Sequence, residues 1–385
     1  MKERFYKKFH NSCRNKYSFV ENYYKMLESP SKKYVRYRFQ IADRGMKGGS
    51  GLGDKLAGLT NAFVIAARFN RTLLIESADN SEFGKYWMPH HPAYENSDRS
   101  PYHWYNMTWT SYHDNLKERV LDCVGKDNKK EKELCNFDSG DVPEDIINLQ
   151  SNRAYICRID GLRGKANADF RNILGVRADA NLFEVAGCML RLAMWPTPLL
   201  WLLVEEKYKL RSYNFKKTLF QIGIHYRCGN EPGISYEIDR KLCYYDIKKP
   251  RNQQSLHIQK SGGPNEVAIC ALKILSSFDP HFLRNSRDKI LNYEKNETNH
   301  NMFQPLVFVT ADDNFAIEQI TENLLVNNVS NVWIGDKGCQ IDFNVTGVCL
   351  EITSVWFVIL SLSSIIVTQQ DNFFPPSGFS RYVYT

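Results

Sequence analysis

From residue 219 to residue 368 the chain alternates between short apolar runs and longer stretches with helical spacing. Strands are expected over 219–224, 306–310, 331–334 and 364–368, and helices around 264–278, 313–326 and 351–360. Runs this short and this apolar suit strands buried on both faces, and strands separated by helices form parallel sheets through helical crossovers. The first part of the chain shows the same grammar. YRFQIA (37–42) reads as a strand, LAGLTNAFVIAARF (56–69) as a helix, and Asn70-Arg71-Thr72-Leu73-Leu74-Ile75 as a turn into another strand. Leu56, Leu59, Phe63, Ala66 and Ala67 share one face of that helix, with Ala62 at its edge. The fold class is therefore α/β, with a parallel sheet in each half.

Further helices are expected over 181–194 and 199–208, broken by Trp195-Pro196-Thr197-Pro198, and a strand over 155–159. The polar, basic segment YKLRSYNFKK separates two apolar blocks, which places a boundary near 206–218. Residues 37–205 then form a first domain and 206–385 a second. Residues 1–36 open with Lys2, Arg4, Lys7, Lys8, Arg14 and Lys16 and read as a basic tail or stem. Residues 82–141 read as an irregular insertion with dense aromatics, among them Trp87, Trp104 and Trp109. These rings suit packing first and an acceptor groove second.

Three segments point to chemistry. In FQIGIHYRCGN an apolar strand runs into His225-Tyr226-Arg227, and open α/β sheets bind ligands beyond the carboxyl ends of their strands. The planar fork of arginine suits phosphate oxygens. Near the start, Gly48-Gly49-Ser50-Gly51-Leu52-Gly53-Asp54 opens a helix. Such a loop offers free backbone N–H groups, although a tight strand-to-helix turn has the same composition. At the far end Ser377-Gly378-Phe379-Ser380 follows the strand at 364–368 and reads either as an anion-receiving helix start or as a plain cap.

Taken together, GGSGLGDKLAGL…AFVIAARFNRTLLI, IGIHYRCGN, FVTADDNFAIEQI and SGFSR resemble, in order and spacing over roughly 38–385, the fucosyltransferase superfamily. Its members include plant cell-wall, α1,6- and protein O-fucosyltransferases. The resemblance implies a GT-B architecture, two Rossmann-like domains facing across a cleft, and inverting transfer of fucose from GDP-fucose to a hydroxyl of a glycan or protein. It implies that Arg227 holds the diphosphate, that His225 shapes the same pocket, and that Ser377, Gly378, Phe379 and Ser380 contact phosphate. Asp312 or Asp313 matches a nucleotide or sugar contact, and Gly51 and Gly53 belong to the loop facing donor and acceptor. Asp54 stands where several relatives have Asn, and is either a general base or a cap of its helix.

Loss of a nucleoside diphosphate needs its growing charge neutralised by a metal, by fixed cations or by helix N-termini. No D-x-D triplet follows a strand here, so no metal or other cofactor is expected. Another nucleotide sugar, or silent binding of nucleotide or carbohydrate on the same fold, are the alternatives. A dinucleotide oxidoreductase is disfavoured because G-x-G-x-x-G is not matched. The charge of +7 shows no basic stripe interleaved with aromatics, so nucleic acid is not an expected partner.

No apolar run reaches the length of a membrane span and no signal-type hydrophobic region opens the chain, so no anchor is visible. A Golgi or endoplasmic-reticulum lumen is favoured over the cytoplasm by the family resemblance and by ten cysteines. Cys123 with Cys135 and Cys339 with Cys349 are the expected disulfides, and no cysteine spacing suggests zinc. Asn70, Asn106, Asn296, Asn328 and Asn344 head N-x-S/T sequons.

Overall fold

The structure is a computed structural model that describes residues 2–28, 33–39, 52–77, 83–88, 90, 117–122, 142–150, 171–180, 182–209, 221–226, 264–278, 305–311, 314–336 and 347–368. The chain divides into two compact units. Unit 1 comprises Met1–Glu205, Gln340–Ser354 and Arg381–Thr385; unit 2 comprises Glu206–Cys339 and Val355–Ser380.

Unit 1 opens with α1 (Lys2–Phe9), a π-helical turn (His10–Arg14) and α2 (Phe19–Glu28). The expectation of a solvated tail fails here. Phe5, Phe9, Cys13 and Tyr17, each four residues after the last, are all buried, the first three within α1 and the π-helical turn. Lys2, Lys7 and Lys16 are exposed, and Lys8 and Arg14 are half-buried. Phe5 meets Trp195 and Trp201 edge-on, with ring centroids 5.1 and 5.3 Å apart, and Phe9 meets Trp195 at 5.4 Å. A disulfide joins Cys13 to Cys188. Of the expected pairs, Cys123, Cys135, Cys339 and the Cys349 side chain lie outside the described residues.

The first sheet consists of β1 (Tyr34–Phe39), β2 (Thr72–Ser77), β4 (Glu118–Asp122) and β5 (Ile146–Gln150), all parallel in the order β2-β1-β5-β4. β1 starts three residues before its expected position. β4 shows that the stretch 82–141 contributes an edge strand to the sheet and is not wholly irregular. A four-residue helix α4 (Phe83–Tyr86) and strand β3 (Trp87–Met88) also fall in that stretch. Trp87 is buried and its indole donates to Ser354 Oγ at 2.9 Å. β3 pairs antiparallel with β6 (Trp195–Pro196).

α3 (Leu52–Arg68) links β1 to β2. Leu56, Leu59, Ala62, Phe63 and Ala66 are buried as its spacing requires, but so are Thr60, Asn61, Val64 and Ile65. Ala67, expected on the buried face, is exposed. The turn after α3 places Asn70 at φ 47°, and Arg71 follows it into the interior. The Arg71 guanidinium donates to the carbonyls of Glu144 (2.7 Å), Asp145 (3.1 Å) and Val142, which fastens the entry of β2 to the entry of β5. α5 (Leu182–Ala193) carries Cys188, and α6 (Pro198–Lys209) follows β6.

Unit 2 holds a second parallel sheet. β7 (Gln221–Tyr226), β8 (Leu306–Ala311), β9 (Val332–Ile334) and β10 (Ile365–Thr368) lie in the order β10-β7-β8-β9. α7 (Pro264–Phe278), α8 (Asn314–Val326) and α9 (Gly347–Leu362) lie between them in sequence. Ile222, Ile224 and Tyr226 of β7 and Val307, Val309 and Ala311 of β8 share a core with Ala268, Ala271, Ala316 and Ile320 of α7 and α8. α9 packs on the other face, where Leu360 and Trp356 approach Gly223 and Gly335. The expected strands and helices of this half are all present, with ends displaced by a few residues.

Candidate functional site

Strand order and helix placement in unit 2 together fix where a ligand would enter. The chain steps from β7 to β8 to β9 with helices on one face, then returns across the other face to set β10 beside β7. The first and last strands of the sheet are thus neighbours at a topological switch point. At such a point the loops beyond the two carboxyl ends run to opposite faces and leave a crevice between them.

Local chemistry holds this junction closed. Gly223 faces α9, and a Cβ there would lie 2.7 Å from Ser363 Oγ and 2.8 Å from Leu360 Cδ2, so no larger residue fits without displacement. Gln221, 1 % exposed, donates from Nε2 to the carbonyl of Ile359 (3.2 Å) and to Ser363 Oγ (3.0 Å). The Ser364 amide donates back to the Gln221 carbonyl at 2.7 Å. The end of α9 is therefore clamped to the first residue of β7, and this sets the β10 register.

That register pairs Thr368 with His225 and His225 with Thr310, so the three residues form one row across β10, β7 and β8 at the carboxyl edge. Aligned residues of a parallel sheet share a face, and adjacent strands are about 5 Å apart, so the row spans about 10 Å. His225 is half-buried. Thr310 is fully buried, and its hydroxyl has no hydrogen-bond partner among the described residues.

In sequence, Arg227 follows Tyr226, Asp312 and Asp313 follow Ala311, and Ser377, Gly378, Phe379 and Ser380 lie beyond Thr368. These residues and Gly51 are outside the described residues. The structure brings together the strands that deliver three of the four motif segments and places His225 on that edge. The fourth segment belongs to unit 1. There β1 ends at Phe39, upstream of the glycine-rich stretch 48–53, and Gly53 and Asp54 sit in the first turn of α3. The Asp54 side chain is outside the described residues. Thr310 is a polar residue of this edge that the sequence did not single out; its signal is a hydroxyl inside the otherwise apolar run LVFVTA.

Among the described residues no group of His, Cys, Asp and Glu could hold a metal ion, and no helix is long and apolar enough to cross a membrane. A cavity of about 360 Å³ lies elsewhere in unit 1, between α2 and the end of α3.

No protein-family model matches the chain, and no characterised protein sequence matches it. Solved structures similar to it include the NodZ alpha-1,6-fucosyltransferase soaked with GDP-fucose, at 12 % identity and a TM-score of 0.42 over 92 % of each chain. The fucosyltransferase NodZ from Bradyrhizobium is similar at 14 % identity and a TM-score of 0.42, over 92 % of this chain and 93 % of that one. An Arabidopsis thaliana FUT1 variant in complex with GDP is similar at 14 % identity and a TM-score of 0.47, over 95 % of this chain and 72 % of that one.

Proposed function

We propose that this chain is a glycosyltransferase of GT-B type that moves fucose from GDP-fucose to a hydroxyl of a glycan or protein, with inversion and without a metal. The observation that supports this reading is the β10–β7–β8 edge of unit 2. There the strands leading to Arg227, to Asp312 and Asp313, and to Ser377–Ser380 end side by side at a switch point. A nucleoside diphosphate is the ligand that such an edge suits. Its phosphates need a fixed cation and free N–H donors, and its base and sugar need short polar side chains.

In this reading Arg227 takes the diphosphate in a bidentate grip and stabilises the charge that grows on the leaving phosphate oxygen. Ser377, Gly378, Phe379 and Ser380 supply hydroxyl and backbone donors to the same group. His225 walls the pocket, and Asp312 or Asp313 contacts the nucleotide or sugar. Gly51, Gly53 and Asp54 serve the acceptor side.

Calorimetric titration of GDP, GDP-fucose and UDP in EDTA, on the parent chain and on Arg227→Ala, tests this directly. The reading expects selective GDP binding that is lost in the variant, and Arg227→Lys should lose most of the turnover because a point charge does not replace the fork. A preference for UDP, or GDP binding indifferent to position 227, would overturn it.

A further inference from the structure

We propose that Thr310 is the positioning residue of His225: its hydroxyl donates to Nδ1 of the imidazole when an anion takes Nε2, so that a neutral ring presents an N–H to the ligand. The inference rests on the reading of the β10–β7–β8 edge as a diphosphate site, and adds to it a residue that the ligand itself does not touch. Thr310 is fully buried on β8, and its hydroxyl has no hydrogen-bond partner among the described residues. Buried hydroxyls are bonded in the large majority of cases, so one left over at a ligand edge needs an account. Full burial keeps Thr310 from a ligand, whereas His225, in the same row, is half-buried.

The sheet gives this hydroxyl one lateral neighbour with a polar side chain. Gly223, two residues before His225, faces Leu360 and Ser363 of the α9 side, while Ile224, Val309 and Ala311 point into the opposite core. His225 and Thr310 therefore share the α9 face, side by side on β7 and β8. On the other flank of Thr310 stands Gly335, which extends the ladder by donating its amide to the Val309 carbonyl at 2.8 Å and has no side chain. Thr368 lies beyond His225, two strands away. Adjacent strands are about 5 Å apart. The Thr310 hydroxyl is one bond beyond its Cβ, and Nδ1 is two bonds beyond that of His225, so staggered rotamers bring the pair within hydrogen-bond reach. The hydroxyl is unbonded in the rotamers of this structure. The contact thus forms by rotation of the two side chains over a fixed backbone.

The chemistry of the ring selects a hydroxyl as the partner. Neutral imidazole has one N–H and one bare nitrogen. A fully ionised phosphate oxygen only accepts, so the nitrogen that meets it must carry the proton and the opposite nitrogen must accept in turn. A carbonyl or carboxylate cannot satisfy that second nitrogen, whereas a hydroxyl can. Nδ1 is the nitrogen nearer the backbone and the neighbouring strand, which leaves Nε2 for the carboxyl edge. No proton changes hands, and the ligand meets a donor of fixed position that carries no charge.

The test uses the full chain with nitrogen-15 in its histidines, in EDTA, with GDP as the probe. Long-range proton–nitrogen spectra report which ring nitrogen carries the proton, and His225→Gln identifies the signals of this ring. GDP should move His225 of the parent to the Nε2–H form. Thr310→Val keeps the shape and removes the hydroxyl. It should leave a mixture of tautomers and weaken GDP binding by about three- to tenfold, the contribution of one hydrogen bond. Thr310→Ser should restore both. The melting temperature of Thr310→Val should not fall, since the hydroxyl it removes bonds nothing in the fold among the described residues. If GDP binds and fixes the same tautomer in the parent and in Thr310→Val, the role of Thr310 is overturned and the diphosphate reading stands. A lower melting temperature with an unchanged tautomer would make Thr310 a packing residue and overturn it equally. Absence of GDP binding by the parent would overturn both.

Discussion

Substituting Gly223 by alanine tests the geometry on which the proposed donor site rests. The new methyl would stand 2.7 Å from Ser363 Oγ and 2.8 Å from Leu360 Cδ2. Neither neighbour is a flexible surface tip: Leu360 is fully buried and Ser363 is 2 % exposed. Overpacking of this kind costs about 1–3 kcal/mol. Displacing Ser363 would also break its hydrogen bond from Gln221, worth about 1 kcal/mol. The expected loss is therefore about 2–4 kcal/mol in unit 2. Since two compact units need not unfold together, urea titration should be paired with hydrogen exchange on peptides covering 221–226 and 365–368. Those peptides should lose protection first, and GDP affinity should fall with them. In a Leu360→Ala background the same glycine change should cost less, because half of the collision is gone, and the two effects should fail to add by about 0.5–3 kcal/mol. A Gly223→Ala chain that keeps parental stability and protection would mean that α9 does not press on β7. The switch point, and the site argued from it, would then go with it.

Replacing Cys13 with Ser should lower the stability of unit 1 strongly. The bridge spans a sequence separation of 175, which the chain-entropy argument converts to roughly 5 kcal/mol as an upper figure; the same drop in a reductant-treated parent, read by thermal melting, checks it. Arg191→Met should raise stability by on the order of 1 kcal/mol in a denaturant titration. The guanidinium is buried, both terminal nitrogens lack hydrogen bonds among the described residues, and burial lowers its pKa to about 10. The Phe5 ring, 5.6 Å from its Cζ, is weak compensation. Tyr17 is pushed up to about 12, first by burial and then by the charge of Glu184 and a hydrogen bond to it at 3.1 Å. Its contribution to stability is complete below the ordinary value of 10.0 and is lost as pH rises to about 12, so Tyr17→Phe should flatten the alkaline limb of the stability profile between those values.

Unit 2 was readable in the sequence because its strands are short, mostly apolar runs between helices of ordinary length. LVFVTA, buried at every position, has no competing interpretation once a helix follows it. In unit 1 the glycine-led helix with the strand after it, and the two helices on either side of Trp195-Pro196, were readable. ERVLD and IINLQ are five residues each and show no regular alternation of polar and apolar positions, and their identity as strands comes from pairing with each other and with β1. The opening helices were hidden by their charge. Six basic residues suggested a tail, although Phe5, Phe9, Cys13 and Tyr17 recur at intervals of four and are all buried. The Cys13–Cys188 link was beyond reach, since connectivity among ten cysteines cannot be deduced from spacing. At the site the order of motifs pointed to the carboxyl ends of successive strands. Which strands would be neighbours there depended on the return of α9 across the sheet, and no residue of the motifs encodes that.

The adjacency of β7 and β10 also governs when the site can exist. Ile222 pairs with Ile365, so the edge is assembled from segments that leave the ribosome far apart in time. β7, β8 and β9 can find one another early, but the crevice has only one wall until the final strand is delivered and clamped by Gln221. Closing so distant a contact is slow compared with local helix formation. Nucleotide binding at the proposed site would then report the docking of β10, and nucleotide would selectively stabilise molecules in which that strand is in place.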